Sequence, residues 1–244
     1  MKIEVCIDNI ESLHTAIEAG ADRIELCSAL SLGGLTPSLG LITQAVAVSS
    51  IPIYVMIRPR DGDFVFSEEE IHFMEQEILS YKLLGVDGVV IGALNPDATI
   101  NEDALRRWTT AAQGIGITFH RAFDLVSNPI ESLELLCHYP IERILTSGLQ
   151  PTVPEGKAMI KQLVDTAQGR LSIMAGSGVN DSNALSLADT GITELHLSGK
   201  GQRPSNMIQQ SSQISMGTES CDDWVSVTDY DKVKKIVRLF VNEY

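Results

Sequence analysis

Several short stretches of the sequence concentrate side chains that can do chemistry. "TFHRAFD" (118–124) ends an apolar run and carries His120, Arg121 and Asp124. An imidazole titrates near neutrality unless its surroundings shift it, so His120 is a candidate general acid or base. Asp124, Asp63 and Glu25 are the carboxylates available to orient it, and Arg121 and Arg58 are available to stabilise an oxyanion. "IRPRDGDF" (57–64) adds Arg58, Arg60 and Asp63; guanidinium groups suit bidentate recognition of carboxylate or phosphate. Two glycine-bearing turns follow, "AGSGVNDS" (175–182) with Gly176 and Gly178, and "SGKG" (198–201) with Ser198 and Gly199. Backbone N–H groups of such turns can hold a phosphate, above all where a helix begins. This set suits proton transfer next to a carbonyl, or cleavage or isomerisation of a small anionic or phosphorylated substrate. The plainer reading is that His120 and Asp124 brace a strand end and that the glycines only turn the chain.

A second chemistry rests on sulfur. The chain has four cysteines, Cys6, Cys27, Cys137 and Cys221, and no CxxC pair. Cys6 and Cys27 fall on neighbouring predicted strands, which run about 4.8 Å apart, and both face the same side. Two thiols there could hold Cu(I), a soft ion that favours thiolate and thioether ligands, with Met56 or Met174 assisting. Against this stands the ordinary role of cysteine as a small buried hydrophobe. Cys137 and Cys221 have no evident partner in the sequence.

These residues need a frame that brings strand ends together. Short apolar runs at 3–8, 22–27, 52–58, 88–94, 116–122, 143–148, 172–176 and 194–198 read as strands. Amphipathic segments near 11–20, 38–49, 68–84, 102–113, 129–139, 154–168, 180–190 and 229–242 read as helices. Eight strands, each followed by a helix, in 244 residues predict an α/β fold of the (β/α)8 TIM-barrel type in a single domain. No GxGxxG follows the first strand, as a doubly wound dinucleotide-binding sheet would require. A repeat supports the ring: "GADRIELC" (20–27), "GVDGVVIG" (85–92) and "GITELHLS" (191–198) share one pattern, and "YPIERILTS" (139–147) has the same shape without the glycine. The repeat glycine is expected at the end of the preceding helix with positive φ.

Period-two alternation then assigns the barrel interior. It turns Glu4, Cys6, Asp8, Arg23, Glu25, Cys27, Tyr54, Met56, Arg58, Thr118, His120, Glu194, His196 and Ser198 inward. This interior is more polar than the Val, Ile and Leu filling usual for the fold. Buried charge must be paired, so Glu4, Arg23, Arg143 and Glu194, near the strand starts, are expected to form a structural ion-pair network. The repeat aligns Cys27, Gly92, Ser147 and Ser198 as a layer of small residues at the strand ends. They leave a cup, with Thr146, Ser147 and the arginine-bearing motifs around it. The segment 200–228 is polar and Ser/Gln-rich and is expected to be a long loop, either a lid or a surface insert.

Composition narrows the partners. The formal charge is −14, which argues against general nucleic-acid binding. No apolar run approaches the roughly 20 residues of a membrane span, and the N-terminus reads as a strand instead of a secretory signal. The expectation is a cytoplasmic protein acting on a small molecule or a metal.

The motifs "RIELCSAL–GGLTPS", "IRPRDGDF", "TFHRAFD", "ILTSG" and "AGSGV", in this order over nearly the whole chain, resemble the CutC family. The resemblance implies a (β/α)8 barrel, a cytoplasmic location, often a homodimer, and a role in copper homeostasis with Cu(I) bound through cysteines, here Cys6 and Cys27. It implies no agreed reaction. One departure stands out: where the family tends to carry an aromatic residue and an arginine before "SMG", this chain has Gln209 and Gln210.

Overall fold

Eight parallel strands close into a barrel in the order of the sequence. They are β1 (Lys2–Ile7), β2 (Arg23–Leu26), β3 (Ile53–Met56), β4 (Gly88–Ile91), β5 (Gly116–Phe119), β6 (Arg143–Thr146), β7 (Ser172–Ala175) and β8 (Glu194–Leu197). This is a computed structural model that describes residues 1–208 and 223–241. Gln209, Gln210, the "SMG" motif and Cys221 lie outside the described residues. The helices are α1 (Ile10–Ala19), α2 (Leu39–Val48), α3 (Glu68–Leu83), α4 (Glu102–Ala111), α5 (Pro129–Leu136), α6 (Val153–Ala167), α7 (Ala184–Ala188) and α8 (Tyr230–Phe240). The architecture is the (β/α)8 barrel expected from the strand and helix count.

Most strands are shorter than the apolar runs that announce them, because the chain turns into its loop before the run ends. After β5, His120 already caps a 3-10 turn over Arg121–Leu125. The repeat glycines Gly20, Gly85 and Gly191 sit at φ 98°, 83° and 90°, the left-handed conformation expected of a helix stop. The aspartate beside the glycine in two copies has a further role. Asp22 accepts from Ile3 N–H at 2.7 Å and Asp87 from Ile53 N–H at 2.8 Å, which anchors β1 and β3. The segment 200–228, expected as a loop, instead begins and ends as an antiparallel ribbon, β9 (Lys200–Pro204) with β10 (Trp224–Thr228). β9, KGQRP, has no apolar alternation to mark it as a strand, and the Ser/Gln-rich stretch beyond it dominates the composition of 200–228, which is why the sequence reads as loop.

Two buried layers result. Outward-facing Ile3, Val5, Ile7, Ile24, Leu26 and Val55 pack beneath the helices in the main apolar core. The inside of the barrel starts with charge. The β1–β2 register sets Glu4 opposite Arg23, and the β1–β8 register sets Glu4 opposite His196. Arg23 pairs with both Glu4 and Glu194, and Arg143 pairs with Glu194 at 3.1 Å and donates to Thr118 at 2.9 Å. Tyr54 lies between the two guanidinium groups, 5.2 Å from Arg23 and 4.8 Å from Arg143, and donates to Glu142 at 2.7 Å. Gly88 and Gly116 make room for its ring: a Cβ on either would come within 2.2 Å of Tyr54. The expected ion-pair floor is present.

Candidate functional site at the barrel mouth

Above the ionic floor a cavity of about 830 Å³ opens at the C-terminal ends of the strands. That is where (β/α)8 barrels carry their sites, and the size suits a small ligand. Its inner end is formed by Cys6, Glu25 and His196, and one wall by Arg58, Phe64 and His120.

His196 sits among Glu4, Glu25 and Cys6. Its Nδ1 is 2.7 Å from Glu4 Oε1 and its Nε2 is 3.8 Å from Glu25 Oε2. Burial pulls the imidazole pKa down, but the Cys6 thiol and the Glu25 and Glu4 carboxylates outweigh burial and hold it well above its ordinary value. Glu4 shows the counterpart. Burial would raise its carboxyl, yet the hydrogen bond with His196 and the charge of Arg23 bring it down to about 2. Glu25 moves the other way: burial raises it, His196 opposes this, and the charge of Glu4 adds to the rise.

His120 is the opposite case. Its Nδ1 accepts from Ala122 N–H at 3.1 Å, so the neutral ring carries its proton on Nε2. Burial, and then the charge of Arg58, lower its pKa to about 3. Phe64 bridges the two, with its ring centroid 4.8 Å from that of His120 and 4.9 Å from the Arg58 guanidinium carbon. Arg58 donates to the carbonyls of Leu32, Gly34 and Gly62 at 2.9, 3.1 and 3.1 Å. No carboxylate among the described residues pairs with it. Gly92 leaves the space in which His120 lies, since a Cβ there would be 2.5 Å from the ring.

Three buried polar atoms have no hydrogen-bond partner among the described residues: Glu25 Oε1, Arg58 Nε and His120 Nε2. Their residues are 3%, 6% and 3% exposed, and all three line this one cavity. Buried polar groups are nearly always partnered, so three exceptions in one place mark a site.

The other sequence candidates divide. Cys6, Arg121, Gly178, Ser198 and Gly199 line the cavity. Arg60 does not. It is drawn to the start of α3 by Glu70 at 2.6 Å and holds Asp63 at 3.1 Å, which keeps both outside the mouth. Asp124 does not orient His120. It accepts from Arg121 at 2.7 Å and from Thr146, Ser147 and Leu149, and so braces the loop after β6. Thr146 and Ser147 are fully buried around it, and neither lines the cavity. Gly176 packs against Leu145 and His196 behind the wall, where a Cβ would clash with Leu145 at 2.5 Å. The turn after β7 does not open a helix directly. Asn180 and Asn183 accept from the amides of Ser182 and Asn180, closing a turn that delays α7 to Ala184.

The expected thiol pair is also rearranged. The register sets Glu25 opposite Cys6. Cys27 lies just past the end of β2, fully buried with Tyr54, Met56 and Val90 and outside the cavity lining, and its thiol donates to Glu25 at 3.4 Å. The donor atoms of Cys6, Glu25 and His196 all lie within 4.8 Å of one another. Burial raises the pKa of both thiols, partly offset at Cys6 by His196, and Glu25 adds to the rise at Cys27. Sequence reasoning turned His196 inward but gave it no role. Its register position beside Glu4 was the available sign. Phe64 and the rim lysines Lys200, Lys232 and Lys235 were also missed.

Over residues 1–201 the chain matches the profile of the CutC family. It is 52% identical over 238 residues to a family protein CutC of Pasteurella multocida (strain Pm70), covering 97% of each chain. It is 52% identical over 225 residues to a family protein CutC of Vibrio parahaemolyticus, covering 91% of each. A solved CutC structure from Streptococcus agalactiae, described provisionally as a copper homeostasis protein, matches with a TM-score of 0.77 at 34% identity, over 81% of this chain and 98% of that one. The phosphoribosylanthranilate isomerase of Thermotoga maritima, at 18% identity and a TM-score of 0.56 over 98% of this chain and 97% of its own, shares the barrel and speaks to the fold alone. The chain belongs to the CutC family. Among the described residues, no helix is long and apolar enough to cross a membrane.

Proposed function

We propose that this protein serves copper homeostasis by holding Cu(I) as cargo at the inner end of the cavity, on Cys6, Glu25 and His196. The observation that carries this reading is the convergence of a thiol, an imidazole and a carboxylate within 4.8 Å. The donors fit the ion: thiolate is soft, and imidazole accepts copper readily. His196 is suited to the task in its neutral form. Its Nδ1–H stays on Glu4 at 2.7 Å, which leaves the Nε2 lone pair facing Cys6 and Glu25. An outer carboxylate that fixes the ligating nitrogen in this way is the usual support of a metal-bound histidine. Loading displaces the thiol proton and the second imidazole proton. The provisional description of the Streptococcus agalactiae relative supports the same reading.

Anaerobic Cu(I) titration against a chromophoric chelator tests it. One equivalent is expected to bind the wild type, with loss in Cys6→Ser and in His196→Asn and retention in Cys27→Ser. Unchanged binding in a folded Cys6→Ser protein, or none in the wild type, would rule it out.

A further inference from the structure

The copper reading uses the inner end of the cavity and leaves its wall unexplained. Arg58 Nε–H and His120 Nε2–H are both donors, and both lack a partner. Two buried N–H groups, one on a cation, repel a metal ion and call for an anion. Glu25 Oε1, the third unpartnered atom, is an acceptor and calls for a donor such as a hydroxyl.

The surrounding structure is built to hold Arg58 in this state. Gly33, Gly34 and Gly62, at φ 84°, 87° and 85°, bend two loops around it. The carbonyls of Leu32, Gly34 and Gly62 then take up its terminal nitrogens, as described, and Nε alone among the three nitrogens keeps no partner among the described residues. Carbonyl dipoles orient a guanidinium without cancelling its charge. Thr36 fixes the backbone at the same point, accepting from Arg58 N–H at 2.8 Å. Charge around the cavity agrees. The chain carries −14 overall, yet among the described residues the lining has five Lys and Arg (Arg58, Arg121, Lys200, Lys232, Lys235) against three Asp and Glu (Asp8, Glu25, Asp181). Such a local excess draws anions in.

We propose that the mouth of the barrel binds a small anionic polyol, a hydroxy acid or sugar phosphate, with its anionic group on Arg58 and His120 and a hydroxyl donating to Glu25. The lysines of β9 and α8 sit at the rim and attract the same charge. This site goes beyond the copper reading; the two share Glu25, and Cys6 and His196 are not part of the anion site.

Calorimetric titration with D-ribose 5-phosphate, citrate, inorganic phosphate and uncharged ribose tests the proposal. Ribose 5-phosphate or citrate is expected to bind below about 1 mM, and ribose is expected not to bind in that range. Arg58→Met and His120→Gln should each weaken the bound probe at least about tenfold, whereas Cys6→Ser should leave it unchanged. Arg58 also holds two loops, so His120→Gln and Lys232→Ala/Lys235→Ala, the latter on an exposed helix face, decide the matter if Arg58→Met does not fold. The double lysine variant is expected to weaken the anionic probe and leave the melting temperature unaltered. Failure of both ribose 5-phosphate and citrate to bind the wild type overturns the proposal, as does undiminished binding in folded His120→Gln. Inorganic phosphate binding as tightly as ribose 5-phosphate overturns the hydroxyl contact, and ribose binding as tightly overturns the anionic one.

Discussion

The inside of this barrel holds two polar regions within a few residues of each other on the same strands, and they are finished differently. In the lower one Glu4, Arg23, Arg143 and Glu194 satisfy one another, and Tyr54 seals them from one side. In the upper one Glu25, Arg58 and His120 each keep an atom without a partner. Both regions are buried and both carry charge, so burial and charge do not separate structure from function here. Completeness of hydrogen bonding does. The two histidines condense the contrast: anionic neighbours hold His196 above its ordinary pKa, while burial and Arg58 bring His120 down to about 3.

The largest expected effect breaks the lower region. Arg23→Met removes the cation shared by Glu4 and Glu194 and leaves two carboxylates buried. Stripping one partner from a buried ion pair costs about 3–5 kcal/mol, which is a large share of a domain's stability. Urea denaturation is expected to show a loss of this size for Arg23→Met. A loss under about 1 kcal/mol would mean that water reaches the floor and that the contrast between the two regions is false.

The second effect is read through pH. His120 has a folded-state pKa of about 3, below the roughly 6.5 of an unfolded histidine. The stability it contributes as a neutral group is therefore complete above pH 6.5 and is lost as pH falls toward 3. At pH 5 the difference amounts to about 2 kcal/mol, from 1.5 units at 1.36 kcal/mol each. His120→Gln removes the dependence, so the variant should gain about 2 kcal/mol relative to wild type between pH 7 and pH 5. His196 runs in the opposite sense: with its folded pKa raised, its contribution is full below pH 6.5 and fades as pH climbs toward that raised value. Parallel pH profiles for His120→Gln and His196→Gln would contradict the assigned charge states.

A third test narrows the upper region without removing any polar group. Gly92→Ala puts a methyl 2.5 Å from Cε1 of His120, between that ring and Ala122. Overpacking of this kind costs about 1–3 kcal/mol, and the ring must tilt. The cavity ligand should weaken together with the stability. Stability that falls while ligand affinity holds would place the His120 ring outside the binding surface.

Strand alternation made the ionic floor legible, because period two turns Glu4, Arg23 and Glu194 inward and the internal repeat aligns Arg143 with Arg23 and Glu194. The inward turn of His196 was legible for the same reason. The parts that were not legible lie in loops or depend on strand register. Whether Asp124 turns to His120 or into the β6 loop depends on the 3-10 turn at Arg121–Leu125, which the apolar run "TFHRAF" conceals. That Cys6 faces Glu25 instead of Cys27 depends on register, which a pair of short strands does not announce. The turn after β7 looked like a phosphate cradle because its glycines are visible, whereas the Asn180 and Asn183 side chains that close it are not recognisable as such until the backbone is placed.

The smallest effect concerns two arginines that the sequence could not tell apart. Arg58 and Arg60 stand two residues apart in "IRPRDGDF" and belong to the same alternation. Past the end of β3, at Met56, alternation no longer applies, and each side chain goes where its partners are. Arg58 finds three carbonyls and the cavity. Arg60 finds Glu70, Asp63 and the face of Phe66, 5.2 Å from the guanidinium carbon, at the start of α3. Its ion pairs are partly exposed and screened, so Arg60→Ala is expected to cost no more than about 1 kcal/mol. The variant should leave both Cu(I) stoichiometry and anion binding as in the wild type. If Arg60→Ala weakened anion binding as much as Arg58→Met does, the mouth would be an extended arginine cluster instead of a site organised around one oriented cation. The unpartnered Nε of Arg58 would then have no special meaning.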